Sequence, residues 1–100
     1  MKESGSLLSL RREIDRIDLE LLRLLSRRAG LALRVGGLKK KRGLPVFDPK
    51  REVAVLRRLT AANRGPMPAS AVRTIFSGIL RCNRRIQVSG KESLRKGSSR

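Results

Sequence analysis

The sequence has no histidine, no tryptophan and no tyrosine, only two phenylalanines and a single cysteine, Cys82. Each shortage closes off some chemistry. Without His, an acid–base relay at neutral pH lacks its commonest participant. One cysteine forms no internal disulfide, and with no His beside it the chain has too few ligands for a zinc site. That cysteine usage fits a reducing compartment, so a cytoplasmic location is expected. Long apolar runs are missing too. None approaches the ~20 residues that a membrane span needs, and the opening residues MKESGS hold no apolar core of a secretion signal. Acidic residues are also scarce. Eight Asp plus Glu stand against 25 Lys plus Arg, a formal net charge of +17 over 100 residues. One hundred residues make one domain. What remains is a small basic domain whose charge first suggests nucleic acid, an anionic surface or an anionic small molecule.

The charge is not confined to a tail. Only Lys39-Lys40-Lys41-Arg42 forms a run, and elsewhere the cations are interleaved with Leu and Ile, as in folded amphipathic segments. From Leu7 to about Arg42 there is no Pro. Leu10, Ile14, Ile17, Leu21, Leu24, Leu31, Val35 and Leu38 recur at alternating spacings of four and three. That heptad seam predicts one long amphipathic helix. At 1.5 Å per residue it measures roughly 50 Å, against a radius of gyration of about 13 Å for a compact chain of this length. Such a helix protrudes from its own chain, and its seam needs a partner. Dimerisation through this helix follows.

Gly43 and Pro45 end the first helix. Asp48-Pro49 reads as an N-cap followed by Pro at the first helical position, with Glu52 in the first turn. A second helix is predicted over 49–62, with Val53, Leu56 and Leu59 on its apolar face. Asn63-Arg64-Gly65-Pro66-Met67-Pro68 breaks the chain again. A third helix is expected over 69–87, with Val72, Ile75, Phe76, Ile79, Leu80 and Ile86 on its apolar side. Residues 1–6 are expected to be a disordered N-terminus and 88–100 a flexible basic tail. The fold class is all-α, three helices per chain.

One residue breaks the seam. Arg28 stands where the heptad asks for an apolar side chain. It is either a snorkelling or register-setting residue, or a buried guanidinium awaiting an anion. Lys39, 11 residues on, returns to nearly the same face at ~100° per residue. Arg11, 17 residues before Arg28, points ~100° away, as toward a partner chain's pocket. Asp48, Arg51 and Glu52 share one face of the second helix, which first-turn capping and a local ion pair would also explain. Asn83 and Gln87 share a face of the third helix, and alone would be an ordinary solvated pair. Cys82 reads as a small packing residue.

Taken together, the runs LLSLRREIDRIDLELLRLLSRRAGLALRVGGLKKKRGLPVFDPKRE and AVRTIFSGILRCNRRIQ resemble the AroQ class of all-helical chorismate mutases. The densest matches are Leu10-Arg11 with Ile14-Asp15 and Ile17-Asp18, Arg28, Val35-Gly36 with Lys39, Pro45-Val46 with Asp48, and Arg51-Glu52. The resemblance implies an intertwined helical homodimer in which Arg11 is donated to the partner's site. It implies that Arg11 and Arg28 grip the two carboxylates of chorismate, and that Lys39 donates to the ether oxygen and one carboxylate. Asp48 and Glu52 would orient the substrate hydroxyl, with Arg51 in the same pocket. Gln87 would be the second donor to the ether oxygen, and Asn83 stands where relatives commonly have Ser. The implied catalytic residues are thus Lys39, Gln87 and Arg28, with no metal and no cofactor. A one-substrate Claisen rearrangement moves no proton, so a chain without His can perform it.

Two rival readings use the same residues. One is a same-fold enzyme acting on a related acid, either an isochorismate pyruvate-lyase or an amino-deoxychorismate mutase. The Gly43-Leu44-Pro45-Val46-Phe47-Asp48 stretch is closer to the mutases. The other is a basic helical nucleic-acid-binding dimer. The near absence of aromatic residues for stacking on bases argues against it.

Overall fold

The computed structural model describes residues 2–89. Three helices follow one another: α1 (Lys2–Arg42), α2 (Pro49–Ala62) and α3 (Ala69–Val88). No strand occurs among the described residues. The all-α, three-helix class expected from the periodicity is what forms.

α1 begins at Lys2, so residues 2–6 are helical where disorder was expected. The physical reason is cooperativity. Once the heptad nucleates a helix, each further residue adds one backbone bond at low cost, and no Pro stops it. At its other end, Gly43 adopts φ +68°. Gly43 N–H donates to Lys40 O at 3.2 Å and Leu44 N–H to Lys39 O at 2.8 Å. This paired closure of a helix end needs a left-handed residue, the conformation in which glycine carries no Cβ penalty.

α2 starts as Asp48-Pro49 predicts. The Asp48 carboxylate accepts from Arg51 N–H at 3.1 Å, and Pro49 occupies the first turn, where no backbone donor is missed. Its buried residue is Val55, while Val53 is 48% exposed. Of the expected face, Leu56 and Leu59 are half-buried beside Val55 and only Val53 turns outward, because α2 rests on α3 alone and a 14-residue helix with one neighbour buries a narrow stripe. α3 runs to Val88, and Ser89 N–H closes it on Arg85 O at 3.0 Å. Val88, expected in the tail, thus belongs to α3, and residues 90–100 of that expected tail lie outside the described residues.

α3 packs against both other helices. The body is long and flat, 61 × 37 × 14 Å, with a radius of gyration of 17.4 Å. Its core is small: Ala32, Val55, Val72 and Leu80 are the buried apolar residues. By contrast, the seam residues Leu10, Ile14, Ile17, Leu21 and Leu24 are all more than half exposed. They leave an open apolar stripe along the first half of α1. Cys82, read from sequence as a packing residue, is exposed, since the buried face of α3 passes through Leu80 and Asn83 instead.

Candidate active site

Where the three helices converge they leave a cleft of about 340 Å³. Its apolar walls come from Leu31, Ala32 and Val35 of α1, Val55 of α2 and Leu80 of α3. Into this cleft the fold brings seven of the eight residues singled out in the sequence: Arg28, Lys39, Asp48, Arg51, Glu52, Asn83 and Gln87. Residues 55 apart in the chain become direct partners there. Helical spacing explains each placement. Arg28 and Lys39 stand three turns apart on α1, and Asn83 and Gln87 one turn apart on α3.

Arg11 is the eighth, and the chain does not bring it in. It is exposed on α1, 17 residues before Arg28, or about 25 Å along the axis. No Arg side chain spans that distance within one rigid helix.

Arg28 Nη1 donates to the carboxamide oxygen of Asn83. Asn83 is the buried polar residue of α3, only 8% exposed. Its oxygen is thus committed to the guanidinium, and its NH₂ is left as the end able to meet a ligand. Lys39 Nζ donates to Val46 O at 2.8 Å, which ties the end of α1 to the α1–α2 connection. An ammonium has three donors, so two remain. Gln87 lines the same cleft, and its Oε1 is buried with no hydrogen-bond partner. A buried unpaired carbonyl costs on the order of 1–3 kcal/mol. The protein keeps this amide uncommitted at a position set by close packing. A Cβ on Gly36 would lie 3.1 Å from both Gln87 Cβ and Gln87 Cγ, so glycine there is what lets α3 approach α1 at this level.

The sequence pattern left out two cleft residues, Arg58 and Arg84. Both had a signal. Arg58 lies two turns beyond Arg51, and Arg84 lies one turn before Gln87. Arg84 Nη1 donates to Glu52 Oε2 at 3.1 Å and Oε1 at 3.4 Å. The ion pair of Glu52 is therefore across to α3, where a local pair on α2 had been one reading. The Asp48 carboxylate caps its helix while also lining the cleft.

The site thus gathers five cations, Arg28, Lys39, Arg51, Arg58 and Arg84, and two carboxylates, Asp48 and Glu52. A cleft with that imbalance and apolar walls suits a small organic anion with more than one negative group. Among the described residues no cluster of His, Cys, Asp and Glu has the makings of a metal site, and no helix is long and apolar enough to cross a membrane.

Residues 10–88 match the family described as chorismate mutase type II. The bifunctional chorismate mutase/prephenate dehydratase of Aquifex aeolicus is 41% identical over 88 residues, covering 80% of this chain and 24% of that protein. The chorismate mutase of Methanocaldococcus jannaschii is 38% identical over 53 residues, covering 53% of this chain and 54% of that protein. Among solved structures, chorismate mutase (form II) from Thermus thermophilus superposes with a TM-score of 0.80 at 42% identity. That superposition covers 81% of this chain and 92% of the other. The chain spans about a quarter of the bifunctional relative's length.

Proposed function

The chain belongs to the chorismate mutase type II family, and from that premise we propose that it rearranges chorismate to prephenate, a step toward phenylalanine and tyrosine. The observation that carries this reading is the convergence of Arg28, Lys39, Asn83 and Gln87 on one cleft with apolar walls.

The reaction breaks a C–O bond as a C–C bond forms within one molecule. Its demands are geometric and electrostatic. The enolpyruvyl arm must be held over the ring, which converts a floppy reactant into a near-attack conformer. Negative charge that develops on the departing ether oxygen must meet donors already in place. In this proposal Arg28 binds one carboxylate with the planar fork that an ammonium lacks, and the NH₂ of Asn83 supports the same group. Lys39, anchored by Val46 O, and Gln87 donate to the ether oxygen. Arg51 supplies further positive charge, and Asp48 and Glu52 accept from the ring hydroxyl. None of these roles transfers a proton, so the lack of His is no obstacle.

The second carboxylate is left for Arg11, which cannot come from the same chain. We therefore propose an intertwined homodimer in which the seam of α1 is covered by a second copy, and Arg11 of each chain reaches the other's cleft. The more-than-half-exposed Leu10, Ile14, Ile17, Leu21 and Leu24 support it. A single cysteine and no disulfide fit a cytoplasmic setting.

The test is to incubate the protein with chorismate, follow its disappearance and identify the product, with isochorismate run in parallel. Prephenate from chorismate and no pyruvate from isochorismate is the expected result. Pyruvate release from isochorismate alone would replace the proposal with a lyase.

A further inference from the structure

Arg58 and Arg84 are the cleft cations that no substrate-binding role accounts for, and of the two it is Arg84 that pairs with a carboxylate of the site. Its guanidinium makes two contacts at once. Nη1 meets the Glu52 carboxylate at 3.1 Å, and the guanidinium carbon sits 4.5 Å from the centre of the Phe47 ring. The pair is partly shielded, with side-chain exposures of 29% for Arg84 and 24% for Glu52. Arg84 also lies between Asn83 and Gln87 on α3, and Phe47 lies between Val46 and Asp48. One side chain thus links α3, α2 and the α1–α2 connection at the rim of the site.

The chemistry of the ligand gives this linkage a purpose. A dianion entering the cleft meets four other cations, but also the negative charge of Glu52. Partly shielded from water, that charge repels the incoming carboxylates more strongly than it would at an open surface. A neighbouring guanidinium offsets the repulsion while leaving lone pairs of the carboxylate free to accept from a hydroxyl. The face of Phe47 holds the guanidinium plane against the rim, an arrangement suited to Arg and poorly matched by Lys.

We infer that Arg84 is a positioning residue that masks the charge of Glu52, so that Glu52 serves as a hydroxyl acceptor in a site built for a dianion. This rests on the chorismate mutase reading for the identity of the ligand. It predicts a coupling between two residues that a scaffold role does not. Arg84→Ala leaves Glu52 bare, and dianion affinity falls about tenfold through repulsion from the unmasked charge. Glu52→Gln alone keeps an amide oxygen that can accept from the hydroxyl, and its affinity is the reference for the double variant. In the double variant Arg84→Ala/Glu52→Gln the offending charge is gone, and affinity recovers most of the loss.

The experiment measures calorimetric binding of a stable bicyclic ether dicarboxylate, shaped like the rearranging substrate, to the wild-type chain and the three variants. KM and kcat for chorismate are measured in parallel. Circular dichroism and thermal melting confirm that each variant is folded. Recovery in the double variant, with the defect of Arg84→Ala in KM more than in kcat, supports the inference. Additive losses, or unchanged affinity in Arg84→Ala, overturn it. If the wild type binds the dicarboxylate but does not turn chorismate over, the proposed activity fails while the binding cycle still decides the role of Arg84.

Discussion

From Gly5 to Arg27 every residue of α1 is exposed, whereas between Arg28 and Lys39 the same helix holds the buried Ala32 and Gly36 and the half-buried Arg28 and Lys39. The apolar repeat runs through both halves, broken at Arg28, and stays open in each: Leu31, Val35 and Leu38 of the later half are 55%, 44% and 51% exposed. The difference is what each half meets. The later half packs on α3 and forms a wall of the cleft, while the earlier half projects with none of the described residues packed upon it. A seam left open along the whole helix is what the second copy of the proposed dimer would cover. The unmatched half carries Arg11, the one expected site residue that the chain cannot place. Structure and missing chemistry point to the same half of the helix.

That contrast can be broken from either side. The largest effect is expected in the later half. Lys39→Ala removes a donor whose bond strengthens as the ether oxygen takes up charge, and kcat should fall by about 10²–10³ with a smaller change in KM. Steady-state kinetics read the split, and an unchanged kcat would take Lys39 out of the chemistry. In the earlier half, Ile17→Glu puts a charge into the seam of the proposed dimer. Sedimentation should then show dissociation, and thermal melting a clear loss. Leu44→Glu, at a site about as exposed as Ile17 but outside the helix, should be nearly silent in both measurements. Equal behaviour of the two variants would mean the seam is ordinary surface. The smallest effect is expected at Gly36→Ala. The added methyl presses on Gln87 at 3.1 Å, an overpacking worth about 1–3 kcal/mol. The dimer should remain intact while kcat/KM falls about tenfold, since a small displacement of a donor is costly.

Much of this was legible in the sequence because helical spacing projects directly onto a face. Arg28 and Lys39 could be paired from an interval of 11 residues, and Asp48-Pro49 marked the start of α2 because a capping carboxylate and a proline have few other uses in that order. The contacts between helices were not legible. Nothing in the pattern of α2 tells that Val55 faces α3 while Val53 does not, since rotation of a short amphipathic helix is decided by its neighbour. For the same reason Glu52 was given a local partner, and its pairing with Arg84 emerged only with the packing of α2 on α3. Gly36 was visible as part of a motif. Its use, to admit the Gln87 side chain, depends on how near α3 comes.

The central claim is that each site needs side chains from two copies of the chain, and one mixing experiment addresses it directly. Arg11→Ala and Arg28→Ala chains are prepared separately, each expected to be inactive, then unfolded together, refolded and assayed with chorismate. Random pairing in a twofold dimer leaves about a quarter of the sites with both arginines intact, so activity near that fraction of wild type should return. No activity, with mixed dimers demonstrated by mass, would contradict the shared site.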